Sequence, residues 1–562
     1  MNQQTPILFT DEQVQRYIAD GYVIVDSNLA PAFHADVAEQ LDYTLANELP
    51  HPGDNIVPRV PALDELCESP VVRGALISLL GEKFVMLPHR FPHNSEPLGE
   101  DVGNVFDPFE HQPKMGKGSI SGSGWHQDGH SHSGRSRWHT SRAVNVFYFP
   151  HDTPLKMGPT RFLAGSHLYA TLRGMCAEQV VFQTIPAGSV VIAHFDLGHA
   201  GTPNNTNASR YMVKFVAVRT QNPTAASWDH QDSEWCTPDD LKTPHDVPVV
   251  WKSLWNWMRG VDRSEVLAQP SPEGLTALIE GLRTEDQGQR LSNLYALIAA
   301  GAPAVGGLVD TLLATAGLGR HESLDSTDKG YYAMSEDAHE RRFGERQFVP
   351  EDSAIALAAI GAAAMPKLKS LLSHDDPWIR INAAYALGDA GPQIAGSCAD
   401  DIAKLLDDSE RNVVRAALDA LCVLGTFGKS AVKRLHRFLA EDHEGWKVET
   451  DGEPRLGWHW TMQNQARYLS ALALLALVSN ANAASAEVEA ALITALDDET
   501  GYTPAMACLA LERLGTVSAM RAAIRYLSVR RLDASHNNSL SRTGGIAKAH
   551  RDVISARLAA SA

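Results

Sequence analysis

The sequence predicts a β-rich N-terminal part of the sandwich or jelly-roll class with flanking helices, followed by an all-α repeat solenoid. Three observations predict it. At 562 residues the chain exceeds one ordinary core. Its character changes near residue 265, from short apolar runs broken by Gly, Pro, His and aromatic residues to Ala- and Leu-rich helical spacing. The second part also repeats itself at an interval of 34 residues.

The N-terminal elements follow in order. Thr10 and Gln13 form a capping-box pattern for a first helix, Gly21 stops it, and "YVIV" reads as a buried strand. A second helix is expected over about 33–48. "SPVVRGALISLLGEKFVMLP" then gives a helix, a terminal Gly81 and a strand "FVML". Residues 93–123, rich in Gly, Pro, Ser and Lys, read as a long loop, and loops of that length are usually functional or disordered. From 140 to 220 the runs "AVNVFYF", "VVFQTI", "SVVIAHF" and "YMVKFVAV" are strand-like and separated by turn residues. Many short strands with Gly/Pro turns are the basis for the sandwich or jelly roll.

In the second part, Leu371, Leu372, Ala383, Ala386 and Leu387 recur as Leu405, Leu406, Ala417, Ala420 and Leu421. Each unit is a helix, a Gly or Asp turn and a second helix, and such pairs bury their apolar faces only by stacking. The pattern resembles HEAT-type repeats over roughly 270–530, with insertions near 318–350 and 442–460. An irregular Ala-rich helical domain is the blander reading. The expected divisions are 1–250, a seam at 251–269 that includes the Trp-rich "VVWKSLWNWM", and 270–562. The solenoid is expected to fold as a separate unit that supplies no ligand to the site.

Apolar content of 44% and charged content of 21% fit a soluble globular chain. A net charge of -18 argues against nucleic acid or an anionic membrane as the main partner. The six cysteines show no CxxC spacing, so a reducing, cytoplasmic setting is expected. Neither a signal peptide nor a transmembrane helix is expected.

The chemistry concentrates in "GWHQDGHSHSGRSRWH", residues 124–139, with four histidines around one acid. A metal site, an acid/base cluster and a His-rich polar loop are the competing readings. His126 and Asp128 are two apart, so on a strand they point to one face. A third donor is needed, and His199 in "GHAGTPN" is the best candidate, with Arg210 eleven residues on at the start of the next strand. Two histidines and a carboxylate make the facial triad of non-haem Fe(II) oxygenases, and an arginine beside it suits an anionic co-substrate. Without a metal, His126 and Asp128 would be a hydrogen-bonded pair. His130 continues the alternation as a substrate contact or a support to the ligands, or is a plain loop histidine. His132 and His139 read as solvated or structural, His167 as a turn residue, and His194 as a weaker alternative to His199. Lys114 and Lys117 could clamp an acidic substrate or simply be solvated. Residues 119–220 carry nine Lys/Arg against four Asp/Glu, which an anion-holding site or a few exposed arginines would explain equally.

"GWHQD", "MGPTRFLAGSH", "PAGSVVIAHFDLGHAGTPN" and "SRYMVKF", in that order, resemble the phytanoyl-CoA dioxygenase family of Fe(II)- and 2-oxoglutarate-dependent oxygenases. The resemblance covers roughly residues 8–222. It implies a double-stranded β-helix (jelly roll), iron held by His126, Asp128 and His199, and the distal carboxylate of 2-oxoglutarate on Arg210. It further implies a polar contact to the co-substrate from Asn145. The implied reaction couples decarboxylation of 2-oxoglutarate to succinate and CO2, using O2, with oxidation of a C–H bond. Because Asp128 is present, hydroxylation is expected rather than halogenation. A small-molecule metabolite is the expected substrate. The alternatives are an interaction or sensor protein that recruits a protein partner through the solenoid, and an oxygenase acting on a macromolecule delivered by it.

Overall fold

The computed structural model describes residues 5–48, 51–99, 125–128, 138–172, 175, 177–261, 263, 270–322, 348–443, 445–446, 461–480, 485–498 and 500–536. His130, His132, Lys114, Lys117 and most of both solenoid insertions lie outside them.

Thr10 and Gln13 cap helix α1 (Asp11–Asp20) reciprocally: the Thr10 hydroxyl accepts from the Gln13 amide at 3.4 Å and the Gln13 side chain accepts from the Thr10 amide at 3.0 Å. Gly21 ends the helix at φ 83°, and a Cβ there would lie 2.4 Å from Nδ1 of His167. Both its handedness and its closeness to that ring require glycine. Strand β1 (Tyr22–Asp26) follows, then helices α2 (Pro31–Asn47), α3 (Ala62–Glu68) and α4 (Pro70–Leu80). Strand β2 (Val85–Ser95) runs further than "FVML" suggests, because an irregularity between Met86 and Arg90 carries the pairing past Pro88.

The remaining strands are β3 (Ala143–Tyr148), β4 (Arg161–Leu163), β5 (Val180–Val181), β6 (Ser189–His194), β7 (His199–Ala200) and β8 (Arg210–Val218). They form an antiparallel five-stranded sheet, β1-β6-β3-β8-β2, and a three-stranded sheet, β5-β4-β7. Phe147, Val191, Ala193 and Met212 from the large sheet pack with Phe162 and Val181 from the small one. Val144, Val146, Val190, Ile192, Val213 and Phe215 belong to the core on the helix side. This alternation is the period of two expected for a sheet buried on both faces, and the domain has the jelly-roll architecture.

The second part is the expected all-α repeat array. All ten residues of the 34-residue repeat are buried. The helices Gln287–Ala300, Asp352–Ile360, Pro377–Ala390, Arg411–Leu424, Met462–Asn480 and Tyr502–Leu514 pack in sequence as one row. Gly388 lets two of them close: a Cβ there would meet Cα of Ala420 at 2.8 Å. Among the described residues no single helix is long and apolar enough to cross a membrane.

One apolar cluster runs from the sheets into this row. Trp251 and Trp255 of helix α5 (Pro248–Met258) are buried, and Trp257 stacks beneath the guanidiniums of Arg142 and Arg219 at 5.3 and 5.2 Å. Arg142 reaches the helix Pro377–Ala390, donating to the Asp389 carboxylate at 3.1 Å and the Asp389 carbonyl at 3.2 Å. Lys83 and Gln221 donate to the Ser479 carbonyl at 3.0 and 2.7 Å. Arg513 returns bonds to the carbonyls of Lys83 and Phe84.

Both side chains of the Arg142–Asp389 pair are 7% exposed. Removing one partner of a buried pair strands the other charge and costs about 3–5 kcal/mol. Arg142→Met is therefore expected to lower the unfolding midpoint of the whole chain measured by denaturant titration. An unchanged midpoint would show that the contact contributes nothing to holding the two parts together.

Candidate functional site

The site begins with a backbone pair. The amide of His126 donates to the His199 carbonyl at 3.1 Å, and the His199 amide donates to the His126 carbonyl at 2.9 Å. His199 lies between His126 and Phe162 of β4, so residue 126 extends the small sheet. Directly paired residues share a face, and the two imidazoles lie 4.4 Å apart.

Gln127 points the other way. Its amide donates to the carbonyls of Ser166, Tyr169 and Asp196 at 3.0–3.1 Å, which ties the segment to the Gly-Ser-His turn. Asp128 returns to the histidine side. Its carboxylate lies 3.9 Å from Nε2 of His126 and 3.7 Å from Nε2 of His199. One ligand atom from each of the three residues fits within 4.8 Å of the others, a set able to hold a metal ion. His199 is prepared for that role. Burial pushes its imidazole well below the ordinary histidine range, so it is neutral. Its Nδ1 is 2.9 Å from the Leu197 carbonyl, which places the proton there and leaves the Nε2 lone pair facing Asp128.

Asn145, expected beside the co-substrate, donates to Asp128 at 2.8 Å and to the Phe195 carbonyl at 3.3 Å. Its place is thus against the carboxylate. Lys214, which the sequence reading did not single out, also hydrogen-bonds to Asp128. The side chains of Lys214 and Asp128 are 5% and 3% exposed. Arg210 begins β8, buried, and its Nε and Nη1 have no hydrogen-bond partner among the described residues. Burial brings its pKa down to about 10, so it stays cationic at neutral pH. His93 was read as the start of a loop. It pairs with Met212 on β2, between the levels of Arg210 and Lys214, and burial lowers its pKa to about 3.

Among the described residues, His194, His167 and His139 lie apart from this cluster. His194 pairs with Val144, so it faces the helix side, and its Nδ1 accepts from the Asp196 amide. His167 reaches the Ile18 carbonyl at 3.2 Å. His139 meets the Tyr295 hydroxyl of the repeat array at 3.1 Å, a structural contact between the two parts.

The jelly roll thus carries a candidate iron site at His126, Asp128 and His199. Residues 5–212 match the model of the phytanoyl-CoA dioxygenase (PhyH) family, and residues 349–422 and 365–449 match HEAT repeats. No curated protein matches the sequence. Solved structures similar to the chain include the non-haem monooxygenase ThoJ in its Ni complex, 17% identical over 39% of this chain and 83% of that one, TM-score 0.26. SnoN, the non-haem α-ketoglutarate-dependent epimerase from nogalamycin biosynthesis, is 18% identical over 38% and 83%, TM-score 0.26. HygX from Streptomyces hygroscopicus is 12% identical over 38% and 87%, TM-score 0.27.

Burial holds the pKa of His139 down to about 4 and that of His167 well below 6.5. An unfolded histidine takes its proton near pH 6.5, so below that pH the unfolded chain binds more protons than the folded one. Stability should therefore fall as pH drops from 6.5 to 5, with a slope that approaches about 1.4 kcal/mol per pH unit for each such histidine toward the lower end. Denaturant titration of the metal-free chain at pH 6.5, 5.8 and 5.0 measures this. His139→Gln should flatten the slope by one histidine's share, and an equal slope in the variant would refute that contribution.

Proposed function

We propose that the chain is an Fe(II)- and 2-oxoglutarate-dependent oxygenase that hydroxylates, or otherwise oxidises, an unactivated C–H bond of a small molecule. The observation that carries this reading is the His126–Asp128–His199 cluster on the same inner space as a buried arginine with unpartnered nitrogens. The donor set suits the metal: two neutral imidazoles and one carboxylate leave three positions of an octahedral Fe(II) for other ligands. The guanidinium, whose Nε and Nη1 have no partner among the described residues, suits the co-substrate, because a buried cation without an anion is costly and a carboxylate satisfies it with two parallel bonds.

In this reading His126, Asp128 and His199 hold the iron, and Arg210 orients 2-oxoglutarate through its distal carboxylate. Iron, 2-oxoglutarate and O2 supply the oxidant for the C–H bond, with succinate and CO2 as co-products. The protein's own work is positional. The Leu197 carbonyl fixes the tautomer of His199, and Asn145 fixes the rotamer of Asp128. The aromatic wall at Phe147, whose ring lies 5.3 Å from that of His199, keeps water from that side. A small-molecule substrate is favoured over a macromolecule brought by the solenoid, because the row of repeat helices is engaged with the oxygenase domain itself.

The direct test is succinate release from 2-oxoglutarate by the iron-loaded chain, with candidate substrates present and absent. Iron binding should be about one per chain and should be lost in His199→Ala. Arg210→Ala should keep iron and raise the KM for 2-oxoglutarate at least tenfold, as expected for losing a charge-assisted bidentate pair. Full iron occupancy in His199→Ala, or no succinate under any condition, would overturn the reading.

A further inference from the structure

The site holds two buried cations, and the family-type reading uses only one of them. Arg210 and Lys214 lie four residues apart on β8, so both face the inner space. At about 3.4 Å per residue their Cα atoms are ~14 Å apart along the strand. Their surroundings differ. Lys214 ends on Asp128, within the ligand cluster, whereas Arg210 has nitrogens with no partner among the described residues. Phe91 and Phe147 stand opposite Lys214 on the neighbouring strands, and the Phe147 ring is 5.5 Å from Nζ. Neither offers an acceptor.

We propose that Lys214 is a second anion-binding residue, holding the metal-proximal carboxylate of 2-oxoglutarate while Arg210 holds the distal one. The inference rests on the oxygenase reading above and follows from charge. Without a metal, the Lys214 ammonium is balanced by Asp128. When Asp128 serves a dication, its charge is shared with the metal and the same ammonium faces a net positive centre. With both imidazoles neutral, the metal, Asp128, Lys214 and Arg210 together carry +3. A dianion bound between the two cations lowers this to +1. Its two carboxylates lie at opposite ends, as the two cations do. A metal held by His126, Asp128 and His199 would draw the carboxylate next to the 2-oxo group toward the Lys214 side. Lys214 is thus a metal-state-dependent partner, held on Asp128 before the metal binds and free for the incoming anion afterwards.

Pyruvate separates the two cations, because it keeps the 2-oxo carboxylate and lacks the distal one. The full-length chain is loaded with Mn(II) or with Fe(II) under anaerobic conditions, and metal occupancy is measured first. Binding of 2-oxoglutarate and of pyruvate is then followed by calorimetry. Lys214→Met should weaken both ligands by tenfold or more, and Lys214→Arg should recover part of each. Arg210→Met should weaken 2-oxoglutarate by a similar factor and leave pyruvate as in the wild type. Metal-loaded Lys214→Met that binds both ligands like the wild type overturns the proposal, as does wild-type protein that binds 2-oxoglutarate but not pyruvate at hundredfold higher concentration. Loss of metal from both Lys214 variants assigns the residue to Asp128 alone and overturns it too. Metal-loaded wild type that binds neither ligand overturns the oxygenase reading itself.

Discussion

The reciprocal backbone pair between His126 and His199 is the constraint on which the rest of the site depends. Two hydrogen bonds join residues 73 positions apart and fix which way each side chain points. Strand alternation then does the remainder. Asp128 returns to the face of His126, and Gln127 is sent to the opposite side, where three carbonyls receive its amide. A slip of one residue in this pairing would exchange Gln127 for the ligands. The Gln127 contacts therefore act as a register lock, since in the slipped arrangement those carbonyls would lose their donor.

The same register explains how polar groups come to lie inside a jelly roll. The inner face of the large sheet is apolar at Phe147, Val191, Ala193 and Met212, yet it also carries Asn145, Arg210 and Lys214. Burying a cation costs several kcal/mol unless an anion meets it. Lys214 meets Asp128, and Asn145 donates to the same carboxylate oxygen. Arg210 has two nitrogens with no such relief among the described residues. A fold tolerates that kind of local violation where a ligand completes the arrangement.

What was legible in the sequence was whatever is encoded locally. The Thr10 cap, the stop at Gly21, the His-x-Asp spacing and the 34-residue repeat each need only a short window of chain. The ligand cluster was legible as a pattern because its three members carry distinctive side chains in a recognisable order. Lys214 and His93 were not, because their importance comes from partners far along the chain, Asp128 86 residues from Lys214 and Met212 paired across from His93, and nothing near either residue reports its partner. The contact of Asn145 with Asp128 spans only 17 residues, but it too depends on how two separate segments meet rather than on a local pattern. Strands β4 and β7, at three and two residues, are too short to show alternation at all. The early end assigned to β2 reflects its prolines, which normally argue against a strand. Pro92 is nevertheless paired in register with Val213.

The repeat array poses a different problem, because Ala-rich helices buried on several sides give no single stripe from which to read a partner. The contacts supply the missing argument. The last carbonyls of a helix have no intrahelical donor, and its C-terminus carries partial negative charge. Here two of those ends point at the oxygenase domain. Asp389 closes in on Arg142 and Ser479 on Lys83, with Gln221 sharing the Ser479 carbonyl. The donors come from the segments around β2, β3 and β8, the strands that carry His93, Asn145, Lys214 and Arg210. Arg142 stands one residue before β3 and three before Asn145, on the path by which the chain returns from the ligand loop. The array therefore braces the strands behind the site by their ends, and two of its helix termini take their hydrogen-bond donors from the jelly roll instead of from water.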